Sequence, residues 1–414
     1  MGNANIRFFA QMGTASALSL VRGFLLAQLL TPNAFGMYAV LFALGTFSSS
    51  LLGLGEIERT NKRFPRLIVD GHGQQALGQA DGIARLLAVR ALVAAAALAL
   101  VTPFVTSWDW TTGLVAATAI ALGAGLQAIF MSIHRAVGEL PTLGRATLAR
   151  TVLALLFAVA GGYLASWQGA LAGEFLGALT GAAISRAYAR RVSASVEPPK
   201  SAPAAIDENS WLFLAFLVGS VPIYLDRFTV SLLYGADTAG TYGLLMLFVT
   251  AAVTLSTIVV QKVGPQLVRL ERAGTPLRRQ LGLAVAWCAA LSGASFLGMV
   301  CAAALLAGPF ASLAAKYSLT APLIGATTLL CCLQVSMVLD WVLLSQDRER
   351  QVFQAAAAYV ATLALGIGTL WVLEAALVWF LWVMALAKLL HVAMLLLYIL
   401  LRARPPDLTE TVQA

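Results

Sequence analysis

Arg22 stands inside the apolar stretch LSLVRGFLLAQLL, and Arg227 stands inside PIYLDRFTVSLL. A matching phrase follows each arginine: Phe35-Gly36-Met37-Tyr38 after the first and Ala239-Gly240-Thr241-Tyr242 after the second. Arg22 precedes its glycine by 14 residues and Arg227 by 13, so the spacing agrees to within one. A guanidinium near the middle of a bilayer costs about 2.5–3.5 kcal/mol even on insertion scales, and such residues face a cavity or a partner. What an arginine does well in a low-dielectric interior is grip phosphate or carboxylate through paired charge-assisted hydrogen bonds. The two copies therefore point to two homologous halves, each giving a cation to one internal site. The chemistry is the binding of an anion.

The same reasoning singles out other ionisable side chains within apolar runs: Arg90, Arg150, Glu174, Asp226, Asp340, Lys388 and His391. Lys388 and His391 are three apart and share a helix face. Asp226 is next to Arg227, but adjacent helical positions point about 100° apart, so Asp226 is expected to meet a different residue. The candidate substrate-binding set is Arg22, Arg227, Lys388, Arg90, Arg150, Asp226 and His391, in which cations outnumber anions. Glu174 has two readings, a proton or sodium step and the pairing of an arginine. Tyr38, Tyr224, Tyr242, Gln28, Gln127, Gln261 and Gln334 are polar groups near the same segments that could contact a sugar or join helices. Cys288, Cys301, Cys331 and Cys332 have no disulfide or metal-ligand spacing and read as packing residues. No Gly-rich phosphate loop, His-x-x-Glu-His metal motif or nucleophile triad is present, so the expectation is a non-enzyme without a metal or cofactor.

The elements that must position these residues are membrane spans. The chain has 414 residues, 60% of them hydrophobic and 11% charged, with a mean hydropathy of +0.83. Soluble domains carry about 25% charged residues, so this chain lacks the polar surface to dissolve. Its apolar runs are continuous, which excludes an alternating β-barrel pattern. They predict an all-α polytopic fold of about twelve transmembrane helices, near 9–30, 35–55, 83–105, 112–133, 146–165, 168–188, 211–234, 240–262, 281–306, 321–344, 353–373 and 376–401. The connections TPNA, TSWDWTT, SWQG, YGADTAGT and LEAAL contain no Lys or Arg, and the ninth connection has only Lys316. The alternate connections are basic, from Arg59, Lys62, Arg63 and Arg66 through Arg278 and Arg279 to Arg402 and Arg404. The positive-inside rule then places both termini in the cytoplasm. It also accounts for the net charge of +8 by topology, which removes the reason to expect a nucleic-acid partner.

From the start MGNANIRFF no cleavable leader is expected. EIERTNKRFPRLIVDGHGQQ is expected to hold a short interfacial helix around Phe64 to Val69. The stretch ARRVSASVEPPKSAPAAIDENS is too rich in Pro, Ser and Ala to bury a core and reads as a cytoplasmic linker. The predicted organisation is a six-helix lobe over 1–190, a linker over 191–210 and a second six-helix lobe over 211–414 with a short tail. Six spans per lobe give parallel repeats related by a pseudo-two-fold axis along the membrane normal, around a central cavity, and a monomer suffices.

Two stretches carry a family resemblance. LLTPNAFGMYAVLFALGTFSSSLLGLGEIERTNKRFPRL resembles the opening of polysaccharide flippases of the MOP superfamily, through Leu30, Pro32, Phe35, Gly36, Tyr38, Leu54 and Gly55. YLDRFTVSLLYGADTAGTYGLLMLF is similar to the seventh span of that family, through Asp226, Arg227, Gly240 and Tyr242. The resemblance implies a two-lobed flippase of the O-antigen or exopolysaccharide type in the bacterial inner membrane. Its cargo would be an undecaprenyl-diphosphate-linked oligosaccharide, moved from the cytoplasmic to the periplasmic leaflet by alternating access. Membrane lipids and other polysaccharide-assembly proteins are the further partners it implies. Coupling to a proton or sodium gradient is open, with Asp226, Glu174 and Asp340 as the available acids. Two alternatives stand beside it. A MATE-like multidrug or cation antiporter needs an acidic cavity, where this chain has Arg and Lys. A polysaccharide polymerase or ligase needs a large periplasmic loop, and the longest here, GPFASLAAKYSLTAP, is short and has no carboxylate or histidine.

Overall fold

The computed structural model describes residues 3–69, 71–104, 108–138, 140–194, 210–272, 276–346 and 348–401. Most of the linker expected over 191–210 and the basic tail residues Arg402 and Arg404 lie outside the described residues. Among the described residues the chain is helical, with no strand.

In chain order the helices are α1 (Asn3–Leu29), α2 (Pro32–Gly53), α3 (Glu56–Val69), α4 (Gly73–Val101), α5 (Trp108–Val137), α6 (Leu140–Ala194) and α7 (Ser210–Tyr224). Then come α8 (Asp226–Arg272), α9 (Leu277–Ala307), α10 (Ala311–Lys316), α11 (Ala321–Cys332), α12 (Ser336–Leu344), α13 (Glu349–Val372) and α14 (Leu377–Leu401). Among the described residues ten apolar segments are long enough to cross a membrane, and the protein is a polytopic helical membrane protein. Leu92, Val93, Leu100, Leu164, Leu365 and Leu386 point outward, where lipid takes the place of a core.

Two of the ten segments, Pro141–Arg191 and Leu217–Gln261, are 51 and 45 residues long. Each contains a reversal. In α6 the backbone leaves the helix at Ala165 and at Ser166, which has φ +54. On either side the two legs are packed face to face. A Cβ built on Gly161 would overlap the Gly169 carbonyl, while Gly173 faces Phe157, Gly177 faces Ala154 and Gly181 faces Arg150. This ladder of pairs closing on residue 165 is an antiparallel hairpin whose legs touch through glycine. In α8 the turn is Gly235, with φ +83 and ψ 170, a conformation that only glycine adopts freely. The hydrogen bond from Tyr242 back to Asp226 brings its legs together. Resolved at these turns, ten segments make twelve legs, and the breaks fall where the fifth and seventh spans were expected to end.

Compactness divides the chain into two units. Unit 1 holds 1–213, 220–247 and 315–318, and unit 2 holds 214–219, 248–314 and 319–414. In unit 1, α6 packs on α1 and α5, and α5 packs on α2, α3 and α4. The interfacial helix is longer than the sequence implied, beginning at Glu56, and carries Pro65 within it. Its Phe64 and Leu67 are sunk into a core with Ala76, Leu87, Ile129 and Ile133, while Arg59 and Arg63 are exposed. In unit 2, α14 packs on α11, α12 and α13, and α9 on α11 and α12, over a core that includes Val263, Leu267, Val338, Val342 and Leu395.

Candidate functional site

The start of α2 is written in its sequence. Thr31 is the N-cap, its hydroxyl accepting from the Ala34 N–H at 3.3 Å, and Pro32 is pre-set for the first turn. Four residues on, Gly36 lets the backbone of α2 meet the second leg of α8. A Cβ on Gly36 would overlap the Ala236 carbonyl and come 2.8 Å from the Gly240 nitrogen, and a Cβ on Gly240 would overlap the Pro32 carbonyl. The two copies of the Gly-x-Tyr phrase are thus packed reciprocally on each other inside unit 1.

Each tyrosine of the phrase then reaches a buried carboxylate that also meets the arginine of its copy. Tyr38 donates to Glu174 Oε1 at 2.7 Å, and Arg22 donates to Glu174 Oε2 at 2.8 Å. Tyr242 donates to Asp226 Oδ2 at 2.7 Å, and the Arg227 guanidinium stands 3.6 Å from Asp226 Oδ1. Arg22 is further held by Ser19 Oγ at 3.4 Å and lies 5.7 Å from the Phe42 ring centroid, with Phe42 stacked on Tyr38. The break between α7 and α8, three residues after Pro222, shapes the second copy. There the Arg227 N–H is taken by Asp226 Oδ1, and the Arg227 guanidinium donates to the Ile223 carbonyl at 3.1 Å. Asp226 meets the neighbouring Arg227 as well as the distant Tyr242.

Arg150 joins this group from the first leg of α6, its stem lying against Gly181 of the second leg. It is within electrostatic reach of Arg22, Glu174 and Tyr224, and Arg227 is within reach of Tyr38. No hydrogen bond or ion pair joins Arg150 to another described residue. Three guanidiniums, of Arg22, Arg150 and Arg227, therefore share the interior of unit 1 with the two carboxylates of Glu174 and Asp226. Among the described residues this arrangement has one cation in surplus.

The remaining candidates stand elsewhere. Arg90 donates to the Leu52 carbonyl at 2.9 Å and the Gly53 carbonyl at 3.4 Å, capping the end of α2. Lys388 and His391 belong to unit 2. The Lys388 ammonium is 3.5 Å from His391 Nδ1 and 5.1 Å from the Tyr359 ring centroid, on which His391 is stacked. His391 Nε2 lies 3.9 Å from Asp340 Oδ1, so α12, α13 and α14 each add a residue to this cluster. Among the described residues no group of three or more His, Cys, Asp or Glu could hold a metal ion.

Lys316 was legible only as the one cation in a set of connections otherwise without Lys or Arg. Its ammonium takes the carbonyls of Ala27, Gln28 and Leu30 at 3.0, 2.8 and 2.6 Å, and the Tyr317 hydroxyl also donates to Ala27. These are carbonyls at the end of α1, which have no intrahelical donor, and a cation there also suits the helix dipole.

No protein-family model matches the sequence, and no curated protein matches it significantly. Solved structures do share its fold. An inward-facing multidrug resistance MATE family transporter of the MOP superfamily matches with a TM-score of 0.61 at 12% identity, covering 97% of this chain and 98% of that one. A MATE transporter from Vibrio cholerae matches with a TM-score of 0.57 at 15% identity, covering 98% of each. A MOP superfamily transporter from Pyrococcus furiosus, described as having a binding pocket of reverse polarity that suggests a different function, matches at 0.56 and 11% identity over 96% of this chain and 95% of its own. At these identities the likeness establishes the fold: the chain has the architecture of MOP superfamily transporters.

Proposed function

We propose that the chain is a transporter for an anionic lipid-linked sugar, a flippase that moves an undecaprenyl-diphosphate-linked oligosaccharide from the cytoplasmic to the periplasmic leaflet by alternating access. The observation that carries this reading is the surplus of guanidinium inside unit 1 among the described residues, where Arg150 stands near Arg22 and Glu174 without a hydrogen bond or ion pair to either. A diphosphate supplies oxygens that guanidinium groups bind bidentately, and low dielectric strengthens those bonds. Arg22, Arg150 and Arg227 are the groups assigned to the anion, with Asp226 and Glu174 orienting them. Lys388 and His391, which belong to unit 2, are the groups proposed to bind substrate there, and Arg90 is given a supporting role through the end of α2. The polyprenyl chain would remain in lipid. The setting is the bacterial inner membrane with both termini cytoplasmic, a monomer suffices, and other polysaccharide-assembly proteins are the expected partners.

A second reading is favoured by the fold alone, since two of the neighbours described above are MATE transporters and one is described as a multidrug resistance protein. An organic cation would have to displace arginines to reach Glu174 or Asp226, which is why we rank it second. The deciding experiment reconstitutes the protein in liposomes and offers it a fluorescent lipid-diphosphate oligosaccharide and, separately, a cationic dye under a proton or sodium gradient. Leaflet exchange of the lipid without dye transport is the expected result. Dye transport without lipid exchange would establish the antiporter.

A further inference from the structure

Glu174 occupies the place an anionic ligand would take. One oxygen accepts from Arg22 at 2.8 Å and the other from the Tyr38 hydroxyl at 2.7 Å, a two-oxygen grip that a phosphate edge would equally fill. The carboxylate is 4% exposed and is carried by the second leg of α6. Gly173 and Gly177 let that leg lie against Phe157 and Ala154 so closely that a Cβ at either would overlap backbone. The donors around it are not exhausted. Arg22 Nε is buried with no partner among the described residues, and Arg150, within reach of both Arg22 and Glu174, has no hydrogen bond or ion pair among them. One carboxylate neutralises Arg22, yet a second guanidinium stands beside the pair.

We infer that Glu174 is a built-in stand-in for the ligand's anionic group: it holds Arg22 and Tyr38 when no ligand is bound, and an incoming dianion takes Arg22 together with Arg150 as Glu174 gives way. The inference rests on the reading that the arginines of unit 1 bind an anion, and it narrows the ligand class. A monoanion that merely replaced Glu174 would exchange two good bonds for two similar ones. Two linked phosphoryl groups gain Arg150 as well, so the site selects for a diphosphate over a single phosphate. The internal competitor also scales apparent affinity down to the fraction of time it leaves the arginine free, which suits a carrier that must release its cargo.

The test is calorimetric titration of inorganic pyrophosphate, and separately of orthophosphate, into the full-length protein in detergent. Glu174→Gln is expected to bind pyrophosphate on the order of tenfold more tightly than wild type, and Arg150→Gln on the order of tenfold more weakly. The gain for orthophosphate in Glu174→Gln is expected to be smaller. Infrared difference spectra separate displacement from simple loss of a negative charge: pyrophosphate should shift a carboxylate band in wild type that Glu174→Gln lacks. Wild-type binding with no tightening in Glu174→Gln, or with no carboxylate band, would make Glu174 a fixed partner and overturn the inference while leaving the anion site standing. Absence of binding in both wild type and Glu174→Gln would overturn the anion reading with it. Should Glu174→Gln not fold, Glu174→Asp draws the carboxylate back from Arg22 and Tyr38 while leaving both donors in place. It should shift affinity the same way, and unchanged or weaker binding there counts against the inference equally.

Discussion

Gly36 and Gly240 show how much a single hydrogen can decide. Each sits where the partner helix's backbone passes within Cβ distance, so Gly36→Ala must push α2 off the second leg of α8. Overpacking of this kind costs about 1–3 kcal/mol. Thermal unfolding in detergent should show Gly36→Ala clearly destabilised, whereas Gly78→Ala, with nothing within 4 Å of the new methyl, should be near neutral. Equal midpoints for the two would refute the close crossing. At this scale the sequence was partly transparent. Arg22, Arg227 and the two Gly-x-Tyr phrases were visible because they are wrong for lipid or repeated. The carboxylate that completes the first copy was not assigned, because Glu174 lies 152 residues from Arg22 and nothing local announces the pairing. In the second copy Asp226 meets the distant Tyr242, as helical geometry leads one to expect, and also its neighbour Arg227, because the break after Pro222 turns the Arg227 side chain back to the Ile223 carbonyl and near Asp226.

Among the elements, the hairpins of α6 and α8 are the least expected geometry and the easiest to perturb. Ser166 holds φ +54, a region that costs a residue with a Cβ about 1 kcal/mol or more. Ser166→Gly should therefore raise stability by about 1 kcal/mol, and Gly235→Ala should lower it by a similar amount, both measured as shifts in thermal midpoint. A loss of stability in Ser166→Gly would contradict the turn. The sequence located these turns through the polar connections SWQG and YGADTAGT. It could not show that their legs meet glycine to backbone, since that depends on which glycines share a face after folding. Helix ends were harder still. Arg90 was read as an intramembrane cation with a cavity role, and Lys316 as a lone loop charge. Both are spent on carbonyls at the ends of α2 and α1. Lys316→Ala leaves those carbonyls without their charged donor, and an effect of about 1–2 kcal/mol on unfolding is expected. Lys316→Arg should retain part of it.

For the whole molecule, composition alone settled the class. Sixty per cent hydrophobic residues with 11% charged leave no alternative to a membrane fold, and the alternation of Lys/Arg-rich connections with ones nearly free of Lys and Arg ordered the spans. The assignment of sides is testable by reporter fusions. A phosphatase that folds only outside the cytoplasm should be active when fused within 31–34 or 166–169 and inactive within 59–66 or 186–191. The reverse pattern would invert the topology. What the composition could not supply is the division of labour among the charges: the arginines gather in unit 1, while Lys388, His391 and Asp340 form a separate cluster in unit 2. The claim on which the account turns is that unit 1's arginines carry the cargo's charge. It is tested most directly by the rate of lipid-diphosphate oligosaccharide flipping in proteoliposomes made with wild type, Arg227→Ala, Arg22→Ala and the double variant Arg22→Ala/Glu174→Gln. The double variant is needed because Arg22→Ala alone strands a buried carboxylate. A fall on the order of tenfold or more is expected in every variant that remains monodisperse, each lost charge-assisted contact being worth about 1.5–3 kcal/mol. Monodisperse variants that flip at the wild-type rate would make the arginines structural and contradict that claim.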